Sequence, residues 1–149
     1  MTYGDYMLMS ARGGDLDAVK ECMAEEVPIN HQDAEVGNSA LHLACANGHK
    51  DVVEFLLDAG ADINLLNNSK NTPLHWACLL GRMEVVKLLC EWHTLKPDSG
   101  LKANTNLKNA FGRIPMEEAL QSGQSEIAEF LAPLSTLEDD KLYSTISEA

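Results

Sequence analysis

Basic side chains are scarce in this chain: 11 lysines and arginines stand against 23 aspartates and glutamates, leaving a net charge of −12. Binding nucleic acid requires lysine and arginine to neutralise phosphates, which argues against a direct nucleic-acid partner. Long apolar runs are also missing. Val52-Val53 and Leu56-Leu57 are separated by charge, far short of the roughly 20 apolar residues that cross a bilayer, so no membrane partner is expected. Cysteine is limited to Cys22, Cys45, Cys78 and Cys90, none in a C-x-x-C pair, and a chain of this length needs no disulfide staples. The opening Met1-Thr2-Tyr3-Gly4-Asp5 has neither the basic nor the apolar region of a secretory signal. A soluble intracellular protein is expected, cytoplasmic with the nucleus open to it.

Catalytic signatures are absent as well. There is no G-x-S-x-G, no phosphate-cradling glycine loop and no H-E-x-x-H, so neither an activated nucleophile nor a metal-bound water is encoded in recognisable form. The expectation is no enzyme, no catalytic residue and no cofactor. What the chain does have is 45% hydrophobic residues, enough to fold as one domain.

Those residues recur. Ser39-Ala40-Leu41-His42-Leu43-Ala44-Cys45 returns 33 residues later as Thr72-Pro73-Leu74-His75-Trp76-Ala77-Cys78, each followed by a glycine (Gly48, Gly81) and then Val52-Val53-Glu54-Phe55-Leu56-Leu57 or Val85-Val86-Lys87-Leu88-Leu89. Weaker copies flank them, at Met7 to Val19 and at Ile114-Pro115-Met116-Glu117-Glu118-Ala119 with Gly123 and Ile127 to Leu131. Leu41, Ala44 and Cys45, like Leu74, Ala77 and Cys78, fall at helical spacing and form one apolar stripe per unit. Gly48 and Gly81 end the first helix, and Thr72-Pro73 begins one with a capping hydroxyl and an N1 proline. No unit buries its stripe alone; stacking builds a continuous core.

This pattern resembles the ankyrin repeat family, whose unit is a β-turn followed by two antiparallel helices. The resemblance implies an all-α, ankyrin-type solenoid of about four helix-turn-helix repeats joined by β-hairpin-like turns. The domain is expected at 1–134, with repeats at about 5–32, 33–66, 67–108 and 109–134, and a tail at 135–149. The pattern departs from the family at three places: Ile114 replaces the usual Thr, Glu117 the usual His, and Lys70 a turn glycine. A lysine at positive φ costs about 1 kcal/mol or more, so that hairpin is expected to be reshaped. The interval from Gly81 to Gly123 is 42 residues, placing a nine-residue insertion within 92–101, where Pro97 and Gly100 predict a loop after a slightly prolonged helix.

The resemblance also settles the histidines as structural. His42 and His75 occupy the family's T-P-L-H position, which ties the helix start to the neighbouring turn. One repeat apart, they lie about 10 Å from each other, too far to share a zinc held at ~2 Å, so no metal site is expected. Trp76 is assigned to the core, and Trp92 is left between core and contact.

Ankyrin-type proteins bind through hairpin tips and the concave face of the first helices. Carried over residue by residue, that surface consists of Asp33, Glu35, Val36 and Asn38 in the first hairpin, Leu66, Asn68 and Asn71 in the second, and Phe111 and Arg113 in the last, with Asn47, Leu79 and Leu80 at helix ends. Apolar residues in a contiguous exposed patch mark a contact surface. Charge is graded along the chain: residues 1–64 carry 12 acids against 3 bases, and residues 65–149 carry 11 against 8. The complement of an acidic surface is a protein with a basic segment.

Within the family, the third repeat, the Gly14-Asp15-Leu16-Asp17 cap and the overall acidity are similar to a small acidic yeast ankyrin chaperone of a basic small-subunit ribosomal protein. That resemblance implies a monomeric protein-binding module that shields the client's basic segment before assembly. The alternative is a regulatory inhibitor or scaffold that grips a folded signalling protein, such as a kinase, through the apolar centre.

Overall fold

The computed structural model describes residues 1–135; the expected tail beyond Ser135 lies outside the described residues. Eight α-helices follow one another in pairs: α1 (Tyr3–Gly13) and α2 (Leu16–Ala24), α3 (Ala40–Ala46) and α4 (Lys50–Asp58), α5 (Pro73–Leu79) and α6 (Met83–Leu95), α7 (Pro115–Gln121) and α8 (Ser125–Leu131). Short 3-10 turns occupy Pro97–Ser99 and Ala132–Leu134. Among the described residues the only β pairing is an isolated antiparallel bridge between Gln32 and Ser39. The architecture is thus all-α, as the repeat predicts.

Packing runs in two rows. The inner helices α1, α3, α5 and α7 stack on one another, and the outer helices α2, α4, α6 and α8 form a second row behind them. Small residues make the inner row close: Ala11, Ala44, Ala77 and Ala119 are fully buried, letting neighbouring backbones approach. Outer-row residues Val52, Val53, Leu56, Val86 and Leu89 are likewise fully buried, and the core runs unbroken from Met7 to Leu131. Each helix pair turns on a glycine at positive φ. At Gly14 (φ +77°) a Cβ would lie 2.5 Å from the His49 ring, so both backbone and space call for glycine there.

The repeats are also joined by polar bonds of fixed direction. The Ser39 N–H donates to His42 Nδ1 at 3.2 Å, and His42 Nε2 lies 2.8 Å from the Asn71 carbonyl oxygen in the next hairpin. A carbonyl only accepts, so the proton sits on Nε2 and Nδ1 is the acceptor. His75 repeats this, taking the Thr72 N–H at 3.0 Å and donating to the Arg113 carbonyl at 2.9 Å. Glu117 holds the acceptor half of that role in the last repeat, receiving the Ile114 N–H at 3.1 Å. A second ladder runs through the loops. The Asp62 N–H donates to Asn30 Oδ1 at 2.9 Å, and the Asn104 N–H donates to Asn64 Oδ1 at 2.8 Å.

Two expectations are sharpened. The insertion adds order: α6 has 13 residues against 9 in α4, then a 3-10 turn and a left-handed Gly100. Trp92 is core, only 2% exposed, and Lys96 reaches 3.6 Å from Asp58 of α4. The hairpin at Lys70 does sit at positive φ (+59°), but it is not reshaped. Its closing bonds, Asn67 N–H to the Asn71 carbonyl at 3.0 Å and Lys70 N–H to the Asn67 carbonyl at 2.9 Å, match Asn109 N–H to the Arg113 carbonyl and Gly112 N–H to the Asn109 carbonyl, each 2.9 Å. Pairing with neighbouring hairpins holds the lysine in place against its own preference.

Replacing Lys70 with glycine is therefore expected to raise unfolding stability by about 0.5–1 kcal/mol, read as a higher urea midpoint with an unchanged m-value. A second outcome concerns pH. Burial lowers the pKa of His42 and His75, the hydrogen bonds to Asn71 and Arg113 opposing it only in part. With folded pKa values below the unfolded value of roughly 6.5, the unfolded chain binds more protons as pH falls. Stability is then fully present above that pH and declines below it. The decline between pH 7.5 and 5.5, measured by urea unfolding, should be shallower in His42→Gln and His75→Gln variants than in the parent.

Candidate functional site

The expected contact residues fall into two groups, those that shape the hairpins and those that face outward. Asp33 belongs to the first. Its Oδ1 accepts from the N–H groups of Glu35, Val36 and Gly37 at 3.0, 2.7 and 3.2 Å, and its Oδ2 from Asn38 at 2.9 Å. Burial alone would raise the Asp33 carboxyl pKa, but these four donors outweigh it and hold the pKa below the usual value. Asn67 and Asn109 do the same work in the later hairpins, accepting from Ser69 and Asn71 and from Phe111 and Arg113. Their amide groups also reach back one repeat: Asn67 Nδ2 donates to Asn38 Oδ1 and Asn109 Nδ2 to Asn71 Oδ1, each at 2.9 Å. Asn38 and Asn71 are thus engaged between repeats. Asn68 donates from Nδ2 to the Glu35 carbonyl at 3.0 Å and from its backbone to the Val36 carbonyl at 3.0 Å, and Asn47 Nδ2 turns back to the Leu43 carbonyl at 2.8 Å.

Outward-facing residues are Glu35, Val36 (53% exposed), Leu66 (41%), Leu80 (44%) and Phe111 (72%). The structure gathers four of the expected residues, Asn71, Leu79, Phe111 and Arg113, around one pocket of about 270 Å³ on the inner face of repeats three and four. Ser69, His75, Trp76 and Glu118 complete its wall. The other eight expected residues lie along the tips and helix ends outside it. Arg113 spans the pocket rim, with its guanidinium carbon 5.8 Å from the Phe111 ring centroid and Nη1 3.5 Å from Glu118 Oε1.

Of the four residues that complete the wall, two bear on what the pocket can hold. Trp76, assigned to the core, is half-buried and forms part of the wall. Glu118 is 7% exposed and stands at the register of Leu43 and Trp76 in the earlier repeats. A carboxylate where the two central repeats have Leu43 and Trp76 was the readable signal.

Most of the acids of residues 1–64 lie away from the hairpins. Of the twelve acids in residues 1–64, only Asp33 and Glu35 belong to a hairpin. Seven exposed ones, Asp17, Glu21, Glu25, Glu26, Asp51, Glu54 and Asp58, lie on α2, α4 and the turn after α2, at the back of the stack. The second and third tips carry Lys70, Lys108 and Arg113 instead. The molecule therefore presents an acidic back at its N-terminal end and, at its C-terminal end, an apolar inner face where Arg113 faces Glu118.

Burial pushes the Cys90 thiol up to about 12 and the thiols of Cys45 and Cys78 well above their ordinary range, so all three are protonated at neutral pH. Among the described residues no group of three histidines, cysteines or acids is placed to hold a metal ion. No helix there is long and apolar enough to cross a membrane.

Stacked helix pairs, hairpins in register and the histidine ladder define a class, and residues 6–100 match the family model for ankyrin repeats (3 copies). The chain belongs to the ankyrin repeat family. It is 35% identical over 137 residues to the ankyrin repeat-containing protein YAR1 of Saccharomyces cerevisiae, covering 83% of this chain and 64% of the relative. It is 32% identical over 127 residues to the ankyrin repeat protein YahD of Escherichia coli, covering 85% of this chain and 58% of that protein. The chain thus spans less than two thirds of the length of either. Among solved structures it superposes on a chain of the yeast ribosomal protein Rps3 in complex with its chaperone Yar1, with a TM-score of 0.78, 32% identity, and coverage of 91% of this chain and 94% of that one.

Asp33 and Glu35 should separate on mutation. Asp33→Ala leaves four backbone donors without their acceptor and should destabilise by about 1–3 kcal/mol. Glu35→Ala should stay within about 0.5 kcal/mol of the parent. Urea unfolding of both variants measures the contrast.

Proposed function

We propose that this chain is a chaperone-type ankyrin protein that binds a basic ribosomal protein and shields its basic segment before assembly. The observation that carries this reading is the similarity, over 91% of the chain, to a structure described as Rps3 in complex with its chaperone Yar1. The charge distribution supports it independently. Seven exposed acids on α2, α4 and the intervening turn form a field suited to a lysine- and arginine-rich segment, and such fields act mainly on association rate and specificity. The apolar residues Leu79 and Phe111 around the inner-face pocket supply the contact area that charge does not.

The function is binding, without catalysis, carried by residues 1–134 with repeats near 5–32, 33–66, 67–108 and 109–134. The expected contact residues divide accordingly. Glu35, Val36, Leu66, Leu80, Phe111 and Arg113 meet the partner, while Asp33, Asn38 and Asn71 set the hairpins that present them. Cytoplasm and nucleus are the compartments in which a ribosomal protein is met before assembly.

The test is binding of purified ribosomal protein of the Rps3 type, by interferometry, from 50 to 500 mM salt. The charge reversals Glu21→Lys, Glu25→Lys and Glu54→Lys combined should weaken affinity on the order of tenfold, mostly through slower association, and should flatten the salt dependence. Absence of binding, together with recovery of a salt-insensitive kinase or other signalling protein from native lysate, would overturn the chaperone reading in favour of an inhibitor or scaffold.

A further inference from the structure

The fourth inner helix carries an acid at a register where the two inner helices before it are apolar. Where α3 has Leu43 and α5 has Trp76, α7 has Glu118, only 7% exposed. A carboxylate taken out of water is costly unless it is compensated. Glu118 Oε1 receives Asn109 Nδ2 at 2.8 Å and faces Arg113 Nη1 at 3.5 Å. Both contacts are made by one oxygen, so the carboxylate retains acceptor capacity, and its side chain lines the pocket together with Trp76, Leu79 and Phe111.

We infer that this pocket takes an arginine side chain of the client's basic segment, held between Trp76 and Phe111 with Glu118 as its counter-charge. The inference rests on the proposed basic client and names its anchor. The chain's own Arg113 displays the chemistry, with its guanidinium carbon 5.8 Å from the Phe111 centroid and Nη1 3.5 Å from Glu118. At about 270 Å³, the space exceeds the roughly 150 Å³ that admits a benzene ring. An apolar occupant would strip water from Glu118 and return no donor. A guanidinium brings several donors in a plane that stacks on aromatic rings and beside a second guanidinium.

Trp76 and Trp92 are the two tryptophans, so their indole N–H signals in NMR report the pocket and the buried core separately. The probe is an acetylated, amidated Gly-Ser nonapeptide with a single central arginine, against the same peptide with citrulline, the uncharged near-isostere. The arginine peptide should shift the Trp76 signal at millimolar concentration and leave Trp92 in place, with citrulline about tenfold weaker. Glu118→Gln keeps an amide oxygen for Asn109 and should abolish the difference between the peptides, with the Trp92 signal certifying the fold. Equal shifts from both peptides would overturn the inference, because the pocket would then accept any alkyl chain. Binding of the full ribosomal client with neither peptide moving Trp76, and with Glu118→Gln as tight as the parent, would also overturn it while leaving the chaperone reading intact. Failure of the client itself to bind would remove both.

Discussion

Everything in this stack depends on a neutral imidazole that accepts at one nitrogen and donates at the other. His42 caps its own helix through Nδ1 and holds the next hairpin through Nε2, and His75 repeats the arrangement. A protonated ring would offer two donors and lose the cap; the other tautomer would point a lone pair at a carbonyl. Burial keeps the ring uncharged, and the carbonyl fixes the tautomer. Apolar stripes glue repeats together without specifying their rotation, since dispersion and desolvation are non-directional. The imidazole adds direction. It converts a stack of greasy hairpins into one with hairpins in register, and only then do residues from different repeats share a pocket.

The ends of the ladder obey the same logic. Interior hairpins use asparagine at the turn, because Asn67 and Asn109 must accept from their own backbone and donate to the preceding repeat. Among the described residues no hairpin precedes the first, whose turn residue is Asp33, which accepts only. In the fourth repeat Glu117 stands in the place of the bridging histidine and keeps its capping role, accepting the Ile114 N–H. Glu117 reads in the sequence as a departure from the family, and in the structure it caps its own helix.

Periodicity made the fold legible. Agreement of Leu74, His75, Ala77 and Gly81 with positions 33 residues earlier constrains geometry far more than composition does, and the helix pairs follow from it. What stayed hidden depends on position around the helices and not along the chain. The N-terminal half could be counted as acidic, but which side of the stack carried that charge required the outer row to be placed behind the inner one. Trp92 sat beside an insertion and could be core or contact until α6 was seen to run on and cover it. Asp33 looked like a surface charge because a turn residue and a binding residue share the same sequence context. Glu118 was visible as an acid at the register of Leu43 and Trp76, but it acquires meaning only when Trp76 and Phe111 are seen around the same space.

The pocket borrows its walls from the ladder. His75 lines it and, through Nε2, also fixes the backbone of Arg113; Asn71 lines it and, through its carbonyl, receives His42. A ligand that orders this wall therefore strengthens the contact between repeats three and four, in a solenoid whose stability resides largely in such nearest-neighbour interfaces. Binding energy at the inner face is in part folding energy of the C-terminal repeats. The acidic outer helices α2 and α4 belong to other interfaces and share no residue with this pocket. For the proposed basic client, charge at the N-terminal back and anchoring at the C-terminal inner face would then be separable: one would set how often the client arrives, and the other how long it stays.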